Sequence, residues 1–222
     1  MAKFTRIQVA QKMGDQGMVP LFYHPDIATC KSVLQACYNG GARLLEFTNR
    51  GDYAHEVFNA LNKFCLESLP GMMLGVGSIA DAGTASLYLQ MGANFIVSAS
   101  IREDVAKVCN RRKVLYSPGC GTLTEIGIAE ELGCEVVKLF PGSIYGPEFI
   151  KAVRAPQPWT NIMPTGGVEP THENLEAWFK AGAYCVGMGS KLISKEIINS
   201  GDFDTLTKKT EEALAMIREI RS

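Results

Sequence analysis

The sequence predicts an α/β protein, a single (β/α)8 TIM barrel with extra helices at its N- and C-terminal ends. Two observations carry this prediction. Short segments rich in β-branched residues recur eight times along the 222 residues, and segments with apolar residues at helical spacing lie between them. Strands that alternate with helices indicate βαβ units and a parallel sheet. Eight units in a chain of this length suit a compact barrel that spans residues 1–222 as one domain.

The predicted strands can be placed in order along the chain. They lie at 19–23, 43–48, 72–76, 95–98, 114–117, 135–140, 161–164 and 184–188. The predicted helices between them lie at 31–38, 55–66, 81–91, 124–132 and 175–181. The alternative is a doubly wound open sheet, which usually carries a glycine-rich nucleotide loop after its first strand. The first strand here leads into Tyr23, His24 and Pro25, so the barrel is favoured.

Two further helical segments lie outside the eight units. Residues 3–14 are expected to cap the bottom of the barrel. Residues 204–220 read as a long amphipathic helix that closes the fold.

The charge balance limits the classes of partner. The chain has 22 basic and 23 acidic residues, and a nucleic-acid or membrane-surface protein needs a basic excess. No nucleic-acid or membrane partner is therefore expected. Seven scattered cysteines without a C-x-x-C pair argue against a disulfide framework or a zinc site, and three isolated histidines give no metal motif. Without a signal peptide or a long apolar segment, we expect a cytoplasmic protein.

Lys138 lies inside the apolar sixth strand. Alternation places Val136, Lys138 and Phe140 on one face, which points the amine into the mouth of the barrel if that face lines the interior. Taking an amine out of water disfavours its charged form and makes it a nucleophile toward carbonyl groups. A lysine of this kind can instead pack its stem and keep its amine in water. In this context we favour a lysine that forms a Schiff base.

Glu46 occupies a similar position in the second strand, where Leu44, Glu46 and Thr48 share a face. One interpretation is a buried salt bridge, with Lys138 as a possible partner. The functional interpretation is a general acid and base that moves protons for the lysine chemistry. Arg50, just past the strand, can bind a substrate carboxylate in bidentate fashion or form a surface ion pair.

Glycine-rich loops follow the seventh and eighth strands. The first contains Gly166 and Gly167, and the second runs from Gly187 to Ser190. Glycine lets backbone N–H groups approach an anion closely. The loops after strands seven and eight are the recurrent phosphate site of TIM barrels, so the pair of loops predicts such a site, to which Ser190 adds a hydroxyl.

Four blocks of sequence carry a resemblance to a known family. They are GGARLLEFTNR at 40–50, GANFIVS at 92–98, VKLFP at 137–141, and PTGGV at 164–168 with GMGS at 187–190. Over residues 19–190 the chain resembles the class I aldolases for 2-keto-3-deoxy-6-phosphogluconate (KDPG) and 4-hydroxy-2-oxoglutarate (KHG). The resemblance implies a lyase that cleaves a 2-keto-4-hydroxy acid, with KDPG favoured, to pyruvate and an aldehyde such as glyceraldehyde 3-phosphate. It also implies a homotrimer that needs no cofactor and no metal.

The resemblance also assigns roles to single residues. It implies that Lys138 forms the Schiff base and that Glu46 accepts and donates the protons. It gives the binding roles to Arg50 and Ser78 for the substrate carboxylate, to Thr165 for the hydroxyl stereochemistry, and to Gly166, Gly167 and Ser190 for the distal phosphate.

The chain departs from the family pattern in four places. It has GVGS at 75–78 where Gly-Ala-Gly-Thr is usual, SAS at 98–100 where Ser-Pro is usual, and FYH at 22–24 where aliphatic residues are usual. Lys191, directly after Ser190, can add positive charge at the phosphate site. These changes leave the lysine chemistry intact and the exact keto-acid open. Two rival functions remain: a phosphate-binding barrel isomerase or epimerase, and a non-catalytic sugar-phosphate sensor on the same fold.

Overall fold

Nine short strands form two parallel sheets, of six and three strands, that together make a ring in the computed structural model, which describes all 222 residues. The strands are β1 (Met18–Phe22), β2 (Leu44–Thr48), β3 (Met73–Gly77), β4 (Phe95–Val97), β5 (Leu115–Ser117), β6 (Gly119–Cys120), β7 (Val137–Leu139), β8 (Ile162–Pro164) and β9 (Val186–Met188). β1 pairs with β9 on one side and β2 on the other, and the pairing continues through β3 and β4 to β5. Every pair is parallel.

The ring closes at two irregular points. Pro118 separates β5 from β6, because proline has no N–H to donate to the ladder. β6 then pairs with β7, and β7 with β8. A bridge between Thr165 and Gly187, just beyond β8, joins that strand to β9. With β5 and β6 counted as one interrupted strand, eight strands form the barrel, which confirms the predicted fold.

Ten helices surround the ring and cover its lower end. They are α1 (Arg6–Gln16), α2 (Ile27–Asn39), α3 (Ala54–Ser68), α4 (Ala82–Gln90), α5 (Glu103–Arg112), α6 (Leu123–Glu131), α7 (Gly142–Arg154), α8 (His172–Lys180), α9 (Lys195–Ser200) and α10 (Phe203–Arg221). The extra helices predicted at both ends of the chain are present as α1 and α10. α5, α7 and α9 were not predicted. The pattern of α7 is interrupted by Gly146, which is non-helical, and by Pro147.

Helix α1 plugs the bottom of the barrel, as the sequence predicts. Thr5 and Gln8 form a capping box that fixes the start of this helix. Val9 and Met13 of the helix join nine buried side chains from the lower parts of the strands in one inner cluster. A larger cluster of 52 buried residues fills the space between the outer face of the strands and the surrounding helices.

A polar level lies above the inner apolar cluster. It contains four buried residues from four strands or their ends: Glu46, Ser117, Lys138 and Thr165. Each follows a member of the inner cluster by two positions, so strand alternation points it into the barrel as well. The interior of the barrel is therefore apolar at its lower end and polar toward the carboxyl ends of the strands.

Candidate active site

Lys138 and Glu46 both point into the barrel, as the sequence predicts. Only 6% of Lys138 and 1% of Glu46 is exposed. Their strand neighbours two positions earlier, Val136 and Leu44, belong to the inner apolar cluster. Burying an amine and a carboxylate in the interior of a barrel costs free energy. Their presence there therefore indicates a functional role.

Glu46 is held without a full set of partners. Its Oε2 atom is buried and has no hydrogen bond within the chain. Burial raises the pKa of the Glu46 carboxyl above its ordinary value, and the positive charges of Lys138 and Arg50 partly oppose that shift. A carboxyl of this kind exchanges its proton more readily near neutral pH than an exposed glutamate does.

The two groups do not form an ion pair. Six ion pairs lie within 4.0 Å in the chain, and neither Lys138 nor Glu46 belongs to any of them. The Lys138 Nζ atom lies 4.9 Å from the centre of the Phe140 ring. One interpretation of the sequence was a buried salt bridge between Lys138 and Glu46. This salt bridge is not formed, so both groups remain available to a bound substrate.

A cavity of about 370 Å³ opens at the carboxyl ends of β1, β8 and β9. Five predicted binding residues line it: Arg50, Thr165, Gly166, Gly167 and Ser190. Lys138 and Glu46 are not among the lining residues. Their neighbours are, since Phe140 carries the ring beside the lysine amine and Leu21 is the register partner of Glu46.

Ser78, like Lys138 and Glu46, is not among the residues that line this cavity. It follows β3 directly and is half-buried. Its φ of 63° lies in the left-handed region, which is uncommon for a serine. Strained backbone of this kind concentrates at functional sites.

Six amides on the two glycine-rich loops have no partner within the chain. They belong to residues 166, 167, 168, 189, 190 and 191, all of which line the cavity, and none donates a hydrogen bond. Gly166 and Gly167 have φ values of 92° and 74°, which only glycine adopts without strain. Consecutive amides in such a turn converge on an anion. Because free amides in such turns are suited to an anion, we call these six residues the anion cradle.

Two lysines border the anion cradle. Lys191 lies 2.8 Å from Glu169 and joins the two loops through that ion pair. Lys195, at the start of α9, also lines the cavity. Lys195 could not be predicted from the sequence, because an exposed lysine in a helix has no distinguishing pattern.

Thr165 completes the upper part of the interior. Its Oγ1 atom is buried and has no hydrogen-bond partner. A Cβ on Gly187 would overlap that hydroxyl, so the glycine leaves room for it. Thr165 itself lines the cavity, and its hydroxyl has no partner within the chain.

Other candidate centres are absent. No group of three or more His, Cys, Asp or Glu side chains is arranged to hold a metal ion. The seven cysteines are all free and buried, and burial raises the pKa of the Cys37 thiol to about 12. None of the helices combines the length and apolar composition that a membrane crossing requires.

The sequence of the chain matches a known family. The model of the family described as KDPG and KHG aldolase matches residues 9–209. The chain belongs to this aldolase family. Membership confirms the resemblance seen in the sequence and supports an aldolase, which is a carbon–carbon lyase, over the isomerase and sensor alternatives.

Aldolases of the family are similar to this chain over nearly its whole length. A 2-dehydro-3-deoxy-phosphogluconate aldolase from Pseudoalteromonas atlantica is 28% identical over 208 residues, which cover 93% of this chain and 94% of the relative. A KHG/KDPG aldolase from Escherichia coli K12 is 26% identical over 198 residues, 89% of this chain and 90% of the relative. The crystal structure of the Zymomonas mobilis KDPG aldolase with 3-phosphoglycerate has a TM-score of 0.81 at 25% identity and covers 95% of this chain and 97% of that one.

Proposed function

We propose that the chain is a Schiff-base aldolase that cleaves a 2-keto-4-hydroxy acid to pyruvate and an aldehyde. The observation that carries the proposal is a buried, unpaired Lys138 beside a buried, unpaired Glu46, next to the cavity that holds the anion cradle. An amine and a carboxyl that do not neutralise each other are what imine formation and proton transfer require.

Lys138 carries the covalent chemistry. Its neutral amine attacks C2 of the keto acid, and the adduct takes up one proton from solvent and loses water to give a protonated imine. The final hydrolysis of the imine releases that proton again. The protonated imine is an electron sink, so the C3–C4 bond can break with its electron pair moving into an enamine rather than onto a free carbanion. No group outside the chain and the substrate is needed for this step.

Glu46 carries the protons. As a carboxylate it takes the proton of the C4 hydroxyl, directly or through water, while the C3–C4 bond breaks and the aldehyde forms. The protonated Glu46 then returns a proton to C3 of the enamine, which becomes the methyl group of the pyruvate imine. Water hydrolyses that imine and frees Lys138. The raised pKa of Glu46 suits a group that must both accept and donate.

The binding residues orient the two ends of the substrate. We assign the carboxylate next to the keto group to Arg50, with Ser78 as a second contact, and the C4 hydroxyl to Thr165. Gly166, Gly167 and Ser190 hold a distal phosphate in the anion cradle. Support comes from the free hydroxyl of Thr165 and the six free amides.

The proposed substrate is KDPG, with glyceraldehyde 3-phosphate as the aldehyde. The names of the relatives support this choice, as does the 3-phosphoglycerate in the Zymomonas mobilis structure, a three-carbon phosphate like the proposed product. The anion cradle suits the anionic distal end of such a substrate, which is a phosphate in KDPG and a carboxylate in KHG. We propose in addition a homotrimer, implied by the family resemblance, and a cytoplasmic location, which suits seven free thiols.

Trapping with pyruvate and borohydride tests the proposal. Reduction of the imine should add one pyruvyl group to the chain, and peptide mapping should place it on Lys138. The Lys138→Met variant should fold and gain no mass, whereas Lys63→Met, which removes an exposed lysine of α3, should be trapped like the parent. An isomerase or epimerase would show no adduct. An adduct on another lysine, or none, rules out the proposed mechanism.

A further inference from the structure

Asn174, in the first turn of α8, is bonded to the anion cradle on its outer side. Its Nδ2 atom donates to the Gly167 carbonyl at 3.1 Å, and its Oδ1 atom accepts from the Glu169 N–H at 2.9 Å. If the side-chain amide of Asn174 were flipped, its NH2 group would face the Glu169 N–H and its oxygen would face the Gly167 carbonyl. The two hydrogen bonds therefore fix the orientation of the amide. One side chain thus grips the loop on both sides of Val168.

The bond to the Gly167 carbonyl sets the direction of the next amide. In a planar trans peptide the C=O and the N–H point in opposite directions. With the Gly167 carbonyl held toward α8, the Val168 N–H points away from α8. Val168 lines the cavity and its N–H has no partner within the chain. Asn174 therefore turns that donor toward the place where an anion would bind.

The bond to the Glu169 N–H extends the effect to the second loop. Glu169 forms the ion pair with Lys191, 2.8 Å long, and Lys191 follows Ser190 in the other half of the anion cradle. The path from Asn174 through Glu169 to Lys191 links α8 with both glycine-rich loops. None of these contacts involves Lys138 or Glu46.

We propose that Asn174 is a positioning residue that sets the affinity for the distal phosphate without touching the substrate. This role rests on the proposed function, because it concerns the phosphate end of the same keto acid. Without Asn174 the Gly167–Val168 peptide can rotate, and binding an anion must then order it at an entropic cost. The chemistry at Lys138 should not change, since neither Lys138 nor Glu46 makes any of these contacts.

The test is Asn174→Ala, with inorganic phosphate as the probe. We expect phosphate to bind the variant about tenfold more weakly than the parent by calorimetry, roughly what one lost hydrogen bond implies. KM for phosphorylated keto acid should rise by a similar factor while kcat and the borohydride trapping of pyruvate stay unchanged. Both bonds lie at or near the surface, so the variant should fold.

Two further variants separate positioning from simple loss of stability. Asn174→Asp keeps an acceptor for the Glu169 N–H but cannot donate to Gly167, so it should bind phosphate as poorly as Asn174→Ala. Asn161→Ala removes a comparable bond, from Asn161 Nδ2 to the Glu135 carbonyl at 3.1 Å, before β7 and β8 begin, and should bind phosphate normally. Parental phosphate binding in Asn174→Ala or Asn174→Asp, or an equal loss of phosphate binding and pyruvate trapping, overturns the inference. If pyruvate and borohydride did not trap the parent, the aldolase proposal would be refuted. The phosphate measurement would still decide whether Asn174 positions the anion cradle.

Discussion

The Glu46 carboxylate lies directly against Gly77, where a Cβ atom would overlap its Oε1 oxygen. The backbone of Gly77 does not have a positive φ, so its conformation is open to any residue. The glycine is therefore required for space and not for chain geometry. The glycine at the end of β3 and the glutamate in the middle of β2 form a matched pair, in which the missing side chain of one makes room for the carboxylate of the other.

Replacing Gly77 with alanine should disable Glu46 without removing it. We expect Gly77→Ala to push the carboxylate out of its place and to lower turnover by about tenfold or more, since proton transfer depends on distance. Trapping of pyruvate on Lys138 should persist. Gly127→Ala on α6 is the control, because a Cβ there meets nothing within 4 Å. Equal turnover in the two variants would mean that catalysis does not depend on the place that Gly77 leaves for the Glu46 carboxylate.

Glu46→Gln tests the proton-transfer role directly. The amide keeps the size of the side chain and removes the base, so turnover should fall by roughly 10²–10⁴. Lys138 should still be trapped by pyruvate and borohydride, more slowly, since imine formation does not require the C4 proton to leave. Steady-state kinetics and intact-mass measurements check the two parts. Turnover close to that of the parent would assign Glu46 a structural role.

The raised pKa of Glu46 predicts the pH dependence of catalysis. The base must be ionised, so the acidic limb of the kcat/KM profile should lie above 4.5, the ordinary glutamate value. The charge of Arg50 lowers this pKa, so Arg50→Gln should move the limb to higher pH as well as weaken carboxylate binding. A limb at or below pH 4.5 would contradict the assignment of Glu46 as the base.

The same shift has a consequence for stability. Between the ordinary pKa of 4.5 and the raised one, the folded chain keeps the Glu46 proton that the unfolded chain has lost. The free energy of unfolding therefore falls as pH rises through this window. Above the window the contribution of Glu46 no longer changes with pH. Glu46→Gln should thus gain stability relative to the parent as pH rises from about 4 to 8, which denaturant titrations at both pH values measure.

The positions of Lys138 and Glu46 could be predicted because strand alternation is a local rule. Each lies two residues after an apolar side chain of its own strand, so it shares the inward face of that strand. The strand positions followed from the same local pattern. Helix α5 was missed because its buried residues, Val105, Ala106 and Cys109, are outnumbered by charged ones.

Relations between distant segments could not be read from the sequence. Three such relations depend on how strands and helices lie beside each other. They are the separation of Lys138 from Glu46, the space that Gly77 leaves for the Glu46 carboxylate, and the two hydrogen bonds of Asn174 to the loop. The place of Ser78 after β3 was predictable from the sequence, but its absence from the residues that line the cavity was not.

Lys191 is expected to contribute charge and little stability. Its ion pair with Glu169 is well exposed, and exposed pairs add little to folding. Lys191→Met should leave the melting temperature unchanged and raise KM for a phosphorylated keto acid a few-fold, with a difference that shrinks at high salt. Solvent deuterium exchange into the pyruvate methyl group, which involves no distal anion, serves as the reference. An equal loss in both assays would remove Lys191 from the phosphate site.

The phosphate site is best tested at Gly166 rather than at Gly167. A Cβ on Gly167 would lie 2.9 Å from the Ser143 Cα, so any side chain there disturbs the backbone of α7 as well as the loop. A Cβ on Gly166 has no neighbour closer than 3.6 Å, and the cost of Gly166→Ala comes from the φ of 92°, which alanine rarely adopts. The variant should therefore reshape the anion cradle and leave the core intact. We expect cleavage of the phosphorylated keto acid to fall by tenfold or more, while solvent deuterium exchange into the pyruvate methyl group, which needs only Lys138, Glu46 and the carboxylate contacts, stays near the parental rate. A parallel loss of both activities would show that the loop supports the barrel, and no loss of either would make unphosphorylated KHG the better substrate.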